Sequence, residues 1–205
     1  INRAHEESRA QTSALIKEAE EKTALLVNAE GEDAVTLINT LSFDRNDCIF
    51  LDYNGKIVDA DCRQQIYTDL DGNKKLLVSG ITVPALSSVT LKLKDGAVED
   101  NSTFVATENT LETPFAKVTF ADNGTMSSFV DKRVNRELVE GENFNTLLMA
   151  EDYPASWDNW DIDADYIFKI NEDNRLIQSK VINDGPLAIV IENIFEIGDN
   201  SKITQ

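Results

Sequence analysis

Asx-Gly steps at Asn54-Gly55, Asp71-Gly72 and Asp95-Gly96, with a turn at Asp122-Asn123-Gly124-Thr125, divide most of this chain into short segments. Each such dipeptide supplies the positive backbone φ that a tight turn needs, so the segments between them must be short and reverse often. The intervening runs are rich in β-branched residues: AVTLINTLSF (Ala34 to Phe43), GKIVDA (Gly55 to Ala60), CRQQIYTD, KKLLVSGITV and SSVTLKLK. Val89, Leu91 and Leu93 alternate with Thr90, Lys92 and Lys94, which predicts a half-buried antiparallel strand. A second set follows, with FAKVTF and MSSFVDK flanking the Asn123-Gly124 turn, and RLIQSKVIND and LAIVIENIFEI around Asp184-Gly185-Pro186.

The first 30 residues have another texture. Asn2 to Asn28 is rich in Ala, Glu, Lys, Leu and Gln and lacks Pro and Gly, which predicts a helix stopped at Gly31. Its apolar stripe (Leu15, Ala19, Lys22 or Thr23, Leu26) is thin, as for a helix that packs on helices elsewhere. Glu18 and Lys22 form an i,i+4 pair in the favourable order. The expected organisation is a helix over 1–30, a small antiparallel β domain over 31–98, a polar linker over 99–110, and the N-terminal part of a larger β-sandwich over 111–205. The chain is thus mainly β. It opens at Ile1 within helical sequence and ends at Gln205 just after a strand-like run, which reads as a piece of something longer.

Charge narrows the partners. Lys and Arg total 19 against 37 Asp and Glu, a formal net charge of -18. Such a surface repels phosphate backbones and anionic bilayers, so neither nucleic acid nor membrane is an expected partner. No apolar run reaches the length of a membrane span. Cys48 and Cys62, the only cysteines, lie in strand-like sequence and read as core residues in a reducing, cytoplasmic setting, although one disulfide between them also fits.

Catalytic signatures are missing. His5 is the single histidine and sits among polar helical neighbours, while a zinc site needs three or four converging ligands. HExxH, GxxxxGK, GxGxxG and GxSxG do not occur. No catalytic or metal-ligating residue is therefore assigned.

One segment stands out. WDNWDIDADY (Trp157 to Tyr166) holds both tryptophans of the chain and four aspartates. Asp161, Asp163 and Asp165 have the spacing of a calcium loop, with Glu172 at its twelfth place, but Tyr166 occupies the position that requires Gly for the sharp turn. As a strand, the segment would set three carboxylates on one face, roughly 6 to 7 Å apart, and turn Ile162, Ala164, Tyr166 and Phe168 to the core. Carboxylates beside aromatic faces also suit sugar hydroxyls.

Four phrases in order carry a resemblance: NTLSFDR (Asn39 to Arg45), GITVPALSSVTLKL (Gly80 to Leu93), LETPFAKVTFADNGTMSSFVDKRVNREL (Leu111 to Leu138) and YPASWDNWDIDADY (Tyr153 to Tyr166). Together they resemble the region after the catalytic barrel in α-mannosidases of glycoside hydrolase family 38. Phe43 stands where Trp is commoner, and Thr113-Pro114 replaces a usual Asn. The resemblance implies a galactose-mutarotase-like large sandwich, with the first helix drawn from a three-helix bundle. It implies a bacterial, cytoplasmic parent enzyme that hydrolyses terminal α-mannosides of glycans with retention and with zinc. Retention calls for two carboxyl groups about 5 to 5.5 Å apart. The family holds these, and the zinc ligands, in the barrel. The implied partners are an α-mannoside glycan and that barrel, and a homo-oligomer is compatible with the reading. Asp158, Trp160, Asp161, Asp163 and Tyr166 are the candidate substrate-binding residues, on a loop that would reach the pocket. The competing reading is a free-standing carbohydrate-binding β-sandwich module with a Trp157/Trp160 platform.

Overall fold

A computed structural model of the chain describes residues 2–25, 27, 33–99, 102–157 and 160–205. Strands account for 42% of it and helix for 14%, so the class is mainly β with an N-terminal helix, as the turn punctuation predicts. Two compact units form, one from residues 1–64 with 76–98 and one from 65–75 with 99–205.

Helix α1 (Asn2–Ala24) has no buried residue. Its local support is the Lys22–Glu18 ion pair at 2.6 Å and an Arg3–Glu7 pair at 2.8 Å, both i,i+4 and exposed, each contributing a few tenths of a kcal/mol. Leu15 and Ile16 face solvent. Leu26 and Gly31 of the expected stripe and stop lie outside the described residues.

The first unit contains β1 (Ala34–Asn39), β2 (Ile49–Asp52) and β3 (Lys56–Val58). The hairpin of β4 (Arg63–Thr68) and β5 (Lys74–Ser79), whose residues 65–75 belong to the second unit, follows, and then β6 (Ser87–Asp95). Two antiparallel three-stranded sheets run in the orders β1-β6-β3 and β2-β5-β4. In β6, Leu91 is buried and Val89 and Leu93 are half-buried while Thr90, Lys92 and Lys94 are exposed, so the alternation read from the sequence holds residue for residue. Central β5 behaves differently: Leu76, Leu77 and Val78 are all buried, which requires cover on both faces. Val58, Leu76, Val78 and Leu91 form one cluster, with Val35, Leu37 and Leu51 packed on it. Only Asp71-Gly72 of the three early Asx-Gly steps joins paired strands. Asn54-Gly55 links β2 to β3 in different sheets, and Asp95-Gly96 ends β6.

The start of the NTLSFDR phrase has a clear structural reason. Asn39, 4% exposed, donates from Nδ2 to the carbonyls of Phe43, Val83 and Pro84 and accepts from the Leu41 N–H. A buried amide saturated in this way fixes the path of residues 39–45. Cys48, expected in the core, is exposed because the strand-like run containing it starts pairing only at Ile49. Cys62 is half-buried and both thiols are free.

In the second unit a five-stranded meander has the order β11-β10-β9-β8-β7, from β7 (Val105–Thr107), β8 (Thr110–Glu112), β9 (Ala116–Phe120), β10 (Met126–Asp131) and β11 (Arg136–Glu137). The polar stretch expected as a linker over 99–110 thus contains β7, a short Val-Ala-Thr edge strand paired with β8. A second sheet has β13 (Ile189–Ile197) between β12 (Asn174–Asp184) and β14 (Ser201–Thr204).

The LETPFA…DKR…RE phrase reads as one hydrogen-bonded hairpin system. Lys132 Nζ donates to Glu112 Oε1 at 2.9 Å and to the Thr113 carbonyl, and Lys132 holds the Glu112 carboxyl below its usual range. Thr113 Oγ1 accepts from the N–H groups of Phe115 and Ala116, doing what the more usual Asn would do there. Glu137 accepts from the Ser128 hydroxyl and, through Oε1, from the N–H groups of Phe129, Leu138 and Val139. The Ser128 hydrogen bond, followed by these N–H groups, lowers its pKa to about 2. Gly124 has φ +80°, and a Cβ there would sit 2.9 Å from Cζ of the buried Phe195.

Two buried amides join the 65–75 hairpin tip to the β12–β13 turn within this unit. Gln65 Oε1 accepts from the N–H groups of Leu187 and Ala188, and its Nε2 donates to the Ala188 carbonyl. Asn183 exchanges both its amide groups with the Thr68 backbone.

Candidate functional site

The acidic aromatic loop leaves the second unit at Met149 and returns at Asn171. These two residues exchange backbone hydrogen bonds of 2.9 and 2.8 Å. Just outside that bridge, Asn174 Nδ2 donates to the Leu147 carbonyl and the Gly198 N–H to the Asp173 carbonyl. The base is therefore fixed to β12 and to the β13–β14 turn.

Inside the loop the expected strand does not form. Trp157 adopts a left-handed backbone, φ +67°, and its carbonyl accepts from the N–H groups of Trp160 and Asp161. A 3-10 helix then spans Ala164–Phe168. The alternation of apolar and acidic residues is real, but no strand among the described residues offers a ladder. The run satisfies its backbone locally instead: Tyr166 N–H to the Asp163 carbonyl and Lys169 N–H to the Tyr166 carbonyl. Ile162 and Phe168, expected in the core, are exposed, and Tyr166 is 39% exposed.

The candidate residues take distinct positions. Trp160 is 91% exposed, with Trp157, Tyr153 and Phe168 also open to solvent. Asp161 is exposed. Asp163, half-buried, accepts the Ala155 N–H at 3.1 Å, so it braces the loop. Asp158 lies outside the described residues. The sequence reading missed Lys169, whose Nζ lies 3.1 Å from Asp165 and 3.5 Å from Glu151. The hydrogen bond it donates to Asp165, and then that to Glu151, raises its pKa above the usual lysine value. An i,i+4 Asp-Lys spacing was the available signal. The loop thus offers aromatic faces for C–H contact and carboxylate oxygens for hydroxyl donors on one exposed segment.

Zinc does not fit the residues described. His5 lies on exposed α1, and among the described residues no three carboxylate, imidazole or thiol groups converge. No chemical step is derived through a metal here. No described helix is long and apolar enough to cross a membrane.

No curated protein matches the chain. It is similar in fold to a solved alpha-mannosidase from Enterococcus faecalis V583, at 13% identity and a TM-score of 0.52, over 86% of this chain and 26% of that one. A second solved structure, a protein in the Glycosyl Hydrolase Family 38 from Enterococcus faecalis, matches with the same identity, coverage and TM-score. The chain spans about a quarter of the length of these structures. Residues 111–205, which hold β9 to β11, most of β8, the acidic loop and β12 to β14, match the family described as Glycosyl hydrolases family 38 C-terminal domain. The family match over residues 111–205 and these two structures together support a fragment of a glycosyl hydrolase family 38 protein.

Proposed function

We propose that this chain is a non-catalytic segment of a retaining, zinc-dependent α-mannosidase that removes terminal α-mannosides from glycans. Its β domains support the catalytic barrel, and the Trp157–Tyr166 loop lines part of the substrate pocket. The observation that carries this reading is the position of the acidic aromatic loop inside the family-matched residues 111–205. There it stands clear of its own sheet, with Trp160 and Asp161 unpacked. Zinc, when bound in such an enzyme, orients the sugar and polarises its oxygens. The groups that hold it and the two catalytic carboxyls are assigned to the barrel, not to any residue here. The role of these residues is to contact the glycan: Trp160 through its ring, Asp161 through its carboxylate, with Asp163 bracing the loop and Asp158 and Tyr166 completing the wall. The proposed setting is the bacterial cytoplasm.

The test uses the chain alone and the barrel-containing enzyme. The chain alone should leave an aryl α-mannoside intact, and hydrolysis by it would overturn the assignment. In the barrel-containing enzyme Asp161→Ala should raise KM with a smaller effect on kcat. Unchanged turnover at limiting substrate would reduce the loop to a structural brace. The exposure of both Trp157 and Trp160 favours one second reading, a carbohydrate-binding module. Both tryptophans of the chain lie in this loop, so a fluorescence titration of the chain with mannose reports on the loop alone. Saturable quenching supports that second reading.

A further inference from the structure

The second unit carries a cleft that the loop does not touch. Its volume is about 240 Å³, enough for several waters at ~30 Å³ each, and it lies between the β7–β8 turn, the β9–β10 turn and the β12–β13 ladder. Two of its lining side chains end in buried polar atoms with no hydrogen-bond partner among the described residues, Ser179 Oγ and Asn193 Oδ1. Asn193 is only 6% exposed. Ser179 and Asn193 are direct cross-strand partners, so their side chains share one face of the sheet.

A buried acceptor left unpaired costs about 1–3 kcal/mol, and such groups are rare in folded proteins. Here both belong to residues that line one cleft. The β12–β13 register shifts between Leu176 and Gln178, and consecutive residues 176–179 consequently line the same cleft, where regular alternation would turn every second one away. Bulges of this kind re-aim side chains beside sites.

We infer that this cleft binds a neutral, hydroxyl-rich ligand of monosaccharide size. The acceptors at hand are Asn193 Oδ1 inside and the carboxylates of Glu108 and Asp122, both exposed residues of the lining. They demand hydrogen donors. Ser179 both gives and accepts. Phe120 and Leu176 add an apolar wall, against which the C–H face of a pyranose packs. An anionic ligand would meet two carboxylates, and a bare metal ion would leave the apolar wall unused. The inference stands on the cleft alone and holds whether or not the chain serves a mannosidase.

The experiment is an amide-resolved NMR titration of the chain with mannose, glucose and galactose, repeated on Ser179→Ala. At least one sugar should shift the amides of Ser179, Asn193 and Glu108 with a Kd of millimolar order. Ser179→Ala should weaken that binding roughly tenfold, the loss of one hydrogen bond. The same variant should melt at or above the temperature of the parent chain, because it removes an unpaired buried hydroxyl. Asn193→Leu, which keeps the branching at Cγ and removes both polar groups, should abolish the shifts. Silence of these amides with all three sugars overturns the inference, as does an unchanged Kd in Ser179→Ala or a lower melting temperature for it. Shifts confined to Trp157–Tyr166 also overturn it, and they would speak for the loop instead.

Discussion

Replacing Gln65 by alanine isolates what the buried amide contributes to the second unit. Gln65 is 4% exposed and satisfies three backbone groups of the β12–β13 turn: the N–H groups of Leu187 at 3.0 Å and Ala188 at 2.9 Å, and the Ala188 carbonyl at 3.0 Å. Each buried group left unpaired costs about 1–3 kcal/mol, and these bonds are only partly buried, so water relieves some of that cost. Taking the low end for three groups gives a loss of about 3 kcal/mol. With a urea slope of about 2 kcal/mol per molar, the unfolding midpoint should fall by roughly 1.5 M with the slope unchanged. Urea unfolding followed by far-UV circular dichroism measures this directly. Gln65→Met separates bonding from volume, because it fills the space without the amide. A similar midpoint drop in both variants assigns the loss to hydrogen bonds, and a drop in Gln65→Ala alone assigns it to the cavity. A midpoint change below ~0.25 M, about 0.5 kcal/mol and typical of a surface site, would refute the reasoning.

Three further outcomes are expected. The Glu137 carboxyl, depressed from 4.5 to about 2, contributes stability that is complete above pH 4.5 and is lost as pH falls from there through about 2. Glu137→Gln should therefore flatten the pH dependence of thermal stability in that window, and a carbon-detected titration of Glu137 with a midpoint near 4.5 would contradict the nest of donors. Gly124→Ala forces a left-handed backbone on alanine, at roughly 1 kcal/mol, and drives its Cβ into Phe195. A clear fall in the melting temperature is expected, and an unchanged one would count against the close approach. Trp160→Ala should change the melting temperature of the chain hardly at all, since an exposed side chain loses no packing, within about 0.5 kcal/mol; a larger loss would mean that the ring packs against its own domain.

Much of the scaffold is legible in the sequence because period-two patterning and turn chemistry are local. Val89, Leu91 and Leu93 fall inward as read, and Asp71-Gly72, Asn123-Gly124 and Gly185-Pro186 all lie between paired strands. Where the reading fails, pairing partners decide. Val105–Thr107 lies in a polar stretch and is still a strand because β8 supplies its ladder, while Ile162 to Phe168 has a strand's alternation and, among the described residues, no ladder to join. Leu76, Leu77 and Val78 reveal double-sided burial only once β5 is seen between β2 and β4. Of the candidate site, its place and composition are readable, since Trp157 and Trp160 advertise it. Its exposure is not, nor is the orphaned pair of Ser179 and Asn193, whose juxtaposition depends on the register of two strands.

The Met149–Asn171 bridge has a consequence for how such a chain can change. It closes the excursion with two backbone hydrogen bonds that involve no loop side chain. Closure entropy grows only logarithmically, so doubling a loop costs roughly 0.6 kcal/mol. Insertions, deletions and substitutions between these two residues therefore put little at risk in the sheets beneath. The segment is a place where sequence can drift freely and new contacts can be tried, while the fold that carries it stays put.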